Sequence, residues 1–575
     1  MGAMSGGAGS GGGDASVGRG ESGGTRLAIE RAVRAAARAG NRLIAGRTAA
    51  LELSDLRERE LLECALRAMG ARIAGASQSA DFVFVDGRAE QHRAAGAPLS
   101  GENSPNDGLG LPQAVVGLDG TLSSARGSNA DARIEWAARG MPATAALARA
   151  LGEARADRRP RIAVSLVLEP KTAALARMLT DAGCEVAVFS AVSETDPEVA
   201  EALAADGRVA VFAPKRAKSA ESASGTDAES AASTDAEHAA AILEWAPEFL
   251  IDDGSHLVRL AHTEQRDALT ALRGAAEETT SGVRPLREMA EQGELRIPVL
   301  SVNDARTKTD FDNRIGTGQS CVFAIADVRD AAATPERPYL GMTGEHWVVI
   351  GYGPVGQGVA RFAAALGARV TVVEREAARA LSALHDGFEA RESRSALPEA
   401  DVVVSATGVW HTINAEALRA LRPGTIVAVA GGIDDEIALD ELRAEAWTPV
   451  EIGPRVVEWR TPASAGNSHS GPRVLAEGGG INYTAAEGNP IEVMDLSFAT
   501  QLVALARLLE SPPEPGVHPL TAGDEDRVAR AALAAAGGAA DPLPEATRAG
   551  GAAQPWTVHR YRASDGGQNP LHSSE

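Results

Sequence analysis

Residues 346–374 constrain the fold more tightly than any other stretch of this chain. The apolar run His346–Ile350 leads directly into Gly351-Tyr352-Gly353-Pro354-Val355-Gly356. A helix-type pattern continues through Leu366, and a second strand-type run, Arg369–Val373, ends at Glu374. The order strand, glycine turn, helix, strand predicts the opening unit of a dinucleotide-binding parallel sheet. Its glycines permit a tight turn and close approach of a pyrophosphate to the helix N-terminus, where unpaired N–H groups favour an anion. Gly351, Gly353, Val355 and Gly356 are therefore candidate cofactor contacts. Glu374 falls 18 positions past the third glycine. A carboxylate there accepts from the adenosine ribose hydroxyls and repels a 2′-phosphate, which favours NAD. Two further strands, Asp401–Ser405 and Thr425–Ala430, end in Ala406-Thr407-Gly408 and Gly431-Gly432, and these ends would line the nicotinamide side.

The same alternation occurs upstream. Arg161–Leu168 reads as a buried strand, Thr172–Ala182 as a helix, and Glu185–Phe189 and Phe249–Ile251 as strands, the last ending in Asp252-Asp253-Gly254. This βαβ order implies a second parallel sheet, with acidic residues at the strand ends where such sheets place ligands. Residues 215–238 are low in complexity and are expected to form a mobile surface loop. Between the two candidate domains lies a polar run holding Asn303, Asp304, Lys308, Asp310, Asp312 and Asn313. Domain interfaces are preferred places for small-molecule sites. A lysine amid carboxylates and amides suits proton transfer at a sugar hydroxyl: burial lowers its pKa, whereas carboxylates hold it charged. The expected class is α/β, with two parallel-sheet domains, an N-terminal extension and a C-terminal tail.

The flanks carry less chemistry. Residues 1–25 are Gly/Ser-rich and expected to be disordered, and Arg26–Ala39 reads as a helix. Residues 41–96 read as a small α/β unit: Thr48–Leu53 extended, Ser54 as the cap of a helix to Met69, and Asp81–Val85 a strand. Residues 97–130 read as a linker. Ile134–Ala154 reads as helical with a break at Gly140–Pro142. Residues 461–473 form a Ser/Gly-rich loop, and Leu496–Leu509 a helix. The net charge of -22 makes nucleic acid and anionic membranes unfavourable partners. Cys64, Cys184 and Cys321 are too scattered for a metal site or a disulfide framework, which fits a cytoplasmic protein. No basic segment followed by an apolar core begins the chain, and no run of about 18 apolar residues occurs, so neither a signal peptide nor a membrane span is expected.

Five blocks resemble the adenosylhomocysteinase family: IDDGSHL (251–257), EETTSGV (277–283), SVNDARTKTDFDNRIG (301–316), VIGYGPVGQG (349–358) and NPIEVMDLSFATQ (489–501). RIEWAARGMPATAALAR (133–149) resembles that family's opening helix. The likeness covers about 130–510, with an echo at 556–562, and leaves the first 130 residues outside it. It implies a substrate domain at 131–318 completed by 489–545, an NAD domain at 319–488, and a tail at 546–575 that reaches a neighbouring subunit in a homo-oligomer, a dimer or tetramer. It also implies a reaction. Tightly held NAD takes a nucleoside 3′-hydroxyl to the ketone, the acidified C4′ proton is removed, and the 5′ substituent leaves. Water then adds, and the ketone is reduced again.

By position, the resemblance implies that Lys308 takes the 3′-hydroxyl proton, that Asp312 and Glu278 hold the ribose, and that Asn313 lies near the nicotinamide. Asp253 belongs to the C4′-proton machinery. Thr279, Thr280, Ser281, Thr407 and Asn482 match cofactor contacts. Several family positions differ. The family's proton-transferring histidine falls on Val167, and two more histidines fall on Gly432 and Asn489. The adenine-facing threonine falls on Glu169, and the glutamate that accepts from adenine's amino group falls on Lys171. A lysine only donates, so Lys171 suits a carbonyl or phosphate acceptor better than an amine; a 6-keto base such as hypoxanthine would suit it, and a changed nucleophile or leaving group at C5′ is equally open. His256, at a family acidic position, is either a replacement proton shuttle or a plain loop histidine. The combination is read as a divergent NAD-dependent enzyme of this kind. The alternatives are a conventional hydrolase of this family and a catalytically impaired NAD-binding regulator that acts through protein partners.

Overall fold

The computed structural model describes residues 17–75, 78–89, 111–123, 126–153, 159–214, 228–431, 435–462 and 469–542. The Gly/Ser-rich start up to residue 16, residues 215–227 of the insert, Gly432, residues 463–468 and the tail from 546 lie outside the described residues. Residues 17–25, expected to be disordered, belong to the helix Val17–Arg38, and the expected 461–473 loop gives way at Ser470 to the strand Ser470–Leu475.

Strongly apolar strands build two large sheets. One runs Gly516–Pro519, Pro298–Ser301, Gly274–Glu277, Phe249–Asp252, Arg161–Ser165, Glu185–Phe189, Val209–Phe212, every pair parallel. The other runs Glu389–Ala390, Arg369–Val373, His346–Ile350, Val402–Ser405, Ile426–Val429, Ser470–Leu475, all parallel, and closes with the antiparallel strands Val456–Arg460 and Thr448–Gly453. In each sheet the strand order reverses across the first strand in sequence. Arg161–Ser165 lies between Glu185–Phe189 and Phe249–Asp252; His346–Ile350 lies between Arg369–Val373 and Val402–Ser405. Helices cannot cover both sides of such a point at the carboxyl ends, and the crevice left there is where doubly wound sheets bind ligands.

A third, smaller sheet orders Arg72–Ile73, Thr48–Glu52, Phe82–Val85, Ala114–Gly117 and Leu122–Ser123. Residues 97–130 are therefore not simply a linker: two strands fall within them. Ala114–Gly117 is buried at every position, and that burial against Phe82–Val85 makes so short a run a strand. The cap of the helix Leu56–Met69 is Asp55 rather than Ser54, its carboxylate accepting from Glu58 N at 2.9 Å. The insert also departs from expectation, because Ala228–Glu244 is helical and residues 228–238 belong to that helix. The last long helix starts early, at Ile491, and runs to Glu510.

The small sheet is not a separate body. The helix Val17–Arg38 packs Ala32, Val33 and Ala36 into one apolar core with Val322, Phe323 and Ile325 of the helix Thr317–Ala331. Arg34, 1% exposed, pairs there with Asp330 at 2.9 Å and with Asp327. Residues up to Gly537 form one unit, and those beyond belong to another. No helix among the described residues is long and apolar enough to cross a membrane.

Candidate active site

The carboxyl ends of the two large sheets open on one cleft of about 2060 Å³. Each strand delivers its polar residues just past its end. Phe249–Asp252 is followed by Asp253, Gly274–Glu277 by Glu278, and Pro298–Ser301 by the polar run around Lys308. There the chain makes a short α-turn, Arg306–Lys308, and then a wide π-helical turn, Thr309–Gly316. Such turns are rare and frequent at functional sites. This one sets Lys308 Nζ 3.1 Å from Asp312 Oδ2 and 2.5 Å from Asn313 Oδ1. Asn313 is held in turn, donating from Nδ2 to Asn303 Oδ1 at 3.0 Å, and Asn303 Oδ1 also accepts from Thr280 Oγ1. Ser497 donates to Glu278 Oε1 at 2.5 Å, and Asn489 donates to Asp312 Oδ1 at 2.7 Å.

Three carboxylates thus surround one ammonium in a dry setting. Burial alone would lower the pKa of Lys308, but Asp312, Glu278 and Asp253 outweigh it and hold the lysine above its ordinary value. Burial raises Glu278 to about 7 despite the opposing pull of Lys308. Burial likewise raises Asp253. The cluster therefore holds more protons at neutral pH than free carboxylates would.

The cofactor half is a glycine cradle. Gly351 has φ +94°, and a Cβ there would meet Ala406 O at 2.9 Å. A Cβ on Gly356 would collide with Gly351 O, so this glycine closes the turn itself. At Gly353 a methyl group would have Arg379 Nη1 as its nearest protein atom, 3.5 Å away, which leaves open the space a pyrophosphate needs. The helix Pro354–Ala365 has no side-chain cap, so its first N–H groups point at that space. Glu374 accepts from the backbone of Tyr352, Arg375 and Glu376 at 2.7–2.9 Å. Burial opposes its ionisation, but these bonds prevail and keep its carboxyl below the usual value. Asn482 Oδ1 is buried without a partner, as expected of an acceptor awaiting a carboxamide N–H. The residues present fit NAD.

On the opposite side, Glu169 caps the helix Pro170–Asp181 by accepting from Lys171 N at 2.9 Å. The same carboxylate lies 2.8 Å from Lys171 Nζ, which also donates to Glu487 O at 2.9 Å. His256 opens the helix His256–His262, is exposed, and has Nδ1 3.3 Å from Arg259 Nη2. All the candidate residues except Gly356 line this single cleft, Val355, Thr279, Ser281, Thr407 and the apolar Val167 included. Two are not free for a ligand. Thr279 Oγ1 donates to Glu277 and accepts from Gly254 N, and the Thr407 hydroxyl is engaged with Thr412 and Glu436.

A profile of the S-adenosyl-L-homocysteine hydrolase NAD binding domain matches residues 338–488. The adenosylhomocysteinase of Thermotoga maritima is 36% identical over 421 residues, 72% of this chain and 97% of that protein. The chain belongs to the adenosylhomocysteinase family. The S-inosyl-L-homocysteine hydrolase of Methanopyrus kandleri is 35% identical over 410 residues, 70% of this chain and 90% of that protein. The adenosylhomocysteinase of Archaeoglobus fulgidus is 36% identical over 380 residues, 66% and 87% of the two chains.

As an adenosylhomocysteinase-family protein this is an NAD-dependent enzyme acting on a small nucleoside substrate. The regulatory alternative is not favoured. Sequence reasoning missed Ser497, which orients Glu278, and Glu487, whose carbonyl receives Lys171. No local signal marks either: Ser497 lies on a mostly apolar helix, and a backbone carbonyl has no sequence signature. Asn303 stood within the polar run, and only the structure shows that it holds both Thr280 and Asn313.

Proposed function

We propose that the enzyme hydrolyses a 5′-thioether nucleoside whose base carries a 6-oxo group, S-inosyl-L-homocysteine being the simplest such substrate. The buried pair of Glu169 and Lys171 carries this reading. A 6-oxopurine presents an O6 acceptor beside an N1–H donor. Lys171, at the position facing the C6 substituent, donates to the first, and Glu169 accepts from the second. Adenine would set its amino group against the ammonium, donor against donor. A relative bearing the S-inosyl-L-homocysteine hydrolase name supports the same base.

Bound NAD supplies reversible oxidation at the ribose 3′-position, which acidifies the C4′ proton. Lys308 meets the 3′-hydroxyl. It rests charged, so it accepts the hydroxyl proton only after passing its own to a carboxylate, and Asp312 at 3.1 Å is in reach. Glu278 and Asp312 hold the ribose hydroxyls, and Asn313 and Asn489 fix the Lys308–Asp312 pair. Asp253 takes the C4′ proton; its buried carboxyl binds a proton more strongly than a free one, which a base for a weak carbon acid requires. With Val167 apolar, His256 is the cleft-lining imidazole that returns protons from solvent. The thiol leaves, water adds at C5′, and the ketone is reduced. Gly351, Gly353, Val355, Gly356, Glu374, Thr280, Ser281 and Asn482 form the NAD site, with Thr279 and Thr407 shaping it from behind.

This assignment gives 131–318 and 489–545 to the substrate and 319–488 to NAD, in a cytoplasmic homo-oligomer. The test is incubation in heavy water with S-inosyl- and S-adenosyl-homocysteine, reading C4′ deuterium by mass and thiol release. Exchange and release with the inosyl compound at higher kcat/KM support the proposal. Equal or reversed preference refutes the base assignment, and no exchange with either refutes the reaction.

A further inference from the structure

The loop joining the first helix to the small sheet enters neither sheet. It wedges between the two chain crossings that connect the substrate side to the NAD side. One crossing runs through residues 315–319, where the polar run becomes the helix Thr317–Ala331; the other returns through 487–493. Ile44 N donates to Gln319 Oε1 at 2.8 Å, and Gln319 Nε2 donates back to Arg42 O at 2.9 Å. Leu43 N donates to Glu492 Oε2 at 2.9 Å, and Leu43 and Ala45 pack on Val493 and Ile315.

Asn41 makes the contact closest to the chemistry. Its φ of +55° is the left-handed region that asparagine tolerates better than other side chains. That conformation lets its carbonyl accept from Ile491 N at 2.9 Å while Nδ2 donates to Glu487 O at 2.7 Å and to Asn489 O at 3.1 Å. These are the same two residues that support the substrate site. Glu487 O is the acceptor for Lys171 Nζ, and the Asn489 amide donates to Asp312 Oδ1 and Thr317 Oγ1. The Glu487 carboxylate is anchored separately by Arg126 at 2.7 Å and Arg133 at 3.3 Å.

We infer that Asn41 is a positioning residue for the active site, holding the 487–489 strap so that Lys171 meets the base and Asp312 meets the ribose. The N-terminal unit thus takes part in substrate selection across the crossings. Its effect on base preference rests on the Lys171 reading above. Glycine at position 41 keeps the left-handed backbone and removes only the side-chain donor. Asn41→Asp keeps the volume and sets an acceptor against two carbonyls.

The test compares wild type, Asn41→Gly, Lys171→Met and their double variant on 6-oxo and 6-amino 5′-thioether nucleosides. Thermal stability and bound NAD are followed alongside. Losing two part-buried hydrogen bonds should lower kcat/KM about tenfold, mainly through KM. The loss should fall more on the 6-oxo substrate, and NAD content should be unchanged. In the Lys171→Met background, Asn41→Gly should no longer change base preference, and Asn41→Asp should lose more than Asn41→Gly. Equal losses on both bases that multiply independently in the double variant would reduce Asn41 to a structural residue and overturn the inference. If Asn41→Gly does not fold, Asn41→Asp against Lys171→Met reads the same coupling. If wild type shows no base preference, the base reading fails, while non-additivity on either substrate still decides for or against the strap.

Discussion

Replacing Lys171 by methionine isolates the base pocket, and its consequences can be worked out. Lys171 is 2% exposed and Glu169 8%, so the variant leaves a carboxylate buried without its cation. Removing one partner of a buried pair costs roughly 3–5 kcal/mol. Glu169 has an escape, since burial already raises its pKa and the loss of Lys171 raises it further. Taking up a proton at pH 7, about 2.5 units above an ordinary glutamate, costs about 3.4 kcal/mol, which caps the penalty. Glu169 already holds its proton above the ordinary range in the wild type, so up to that raised value both proteins keep it neutral and the gap between them stays constant. The gap should widen by about 1.4 kcal/mol per pH unit only between the wild-type folded pKa and the variant's higher one. Urea denaturation of the two proteins at pH 5, 6 and 7 measures this. On activity, losing a charged donor to O6 should lower kcat/KM for the 6-oxo substrate about tenfold to a hundredfold, with a smaller change for the 6-amino substrate. A stability gap that does not vary with pH, or equal activity losses on both bases, would refute the pairing and the recognition role together.

Gly353→Ala should fold normally, because its φ of −72° suits alanine and the nearest protein atom is 3.5 Å away; NAD affinity should nonetheless fall at least about tenfold, read by equilibrium dialysis. Glu278 holds its proton to about 7 when folded and releases it near 4.5 when unfolded, so folding takes up protons between these values and ligand-free stability should fall as pH rises through that window. Glu278→Gln should flatten part of that slope in a thermal-melt series, and an unchanged slope would count against the raised pKa. Lys308→Gln should keep bound NAD but lose the 340 nm absorbance rise on mixing with nucleoside, by about a hundredfold in rate or more. Retention of the rise would remove Lys308 from the oxidation step.

The two parallel sheets and most of the redox half of the site are legible in the residues alone. Apolar runs such as His346–Ile350 and Phe249–Asp252 need burial on both faces, and the glycine turn between strand and helix admits few conformations. Those are local constraints, carried by a single chain. The resemblance implied roles for Lys308, Asp312 and Glu278, and Val167, Glu169 and Lys171 marked where the chain departs from the family's pattern. Local pattern misjudged segments whose structure depends on neighbours. Ala114–Gly117 is too short to read as a strand until Phe82–Val85 lies beside it, and the alanine-rich 228–238 segment becomes helix as part of Ala228–Glu244.

Pairing across long separations came from folding. Glu169 and Lys171 are two residues apart, yet the Lys171 ammonium is also held by the carbonyl of Glu487, more than three hundred positions away. The protonation of Glu278 depends on how completely three separate strand ends exclude water around Lys308. The first 130 residues carry no motif, and the placement of Asn41 against the 487–489 strap follows from the packing of the Val17–Arg38 helix on the Thr317–Ala331 helix. Hydrogen bonds and desolvation act over a few ångströms in space, and only the folded chain brings residues remote in sequence within that range.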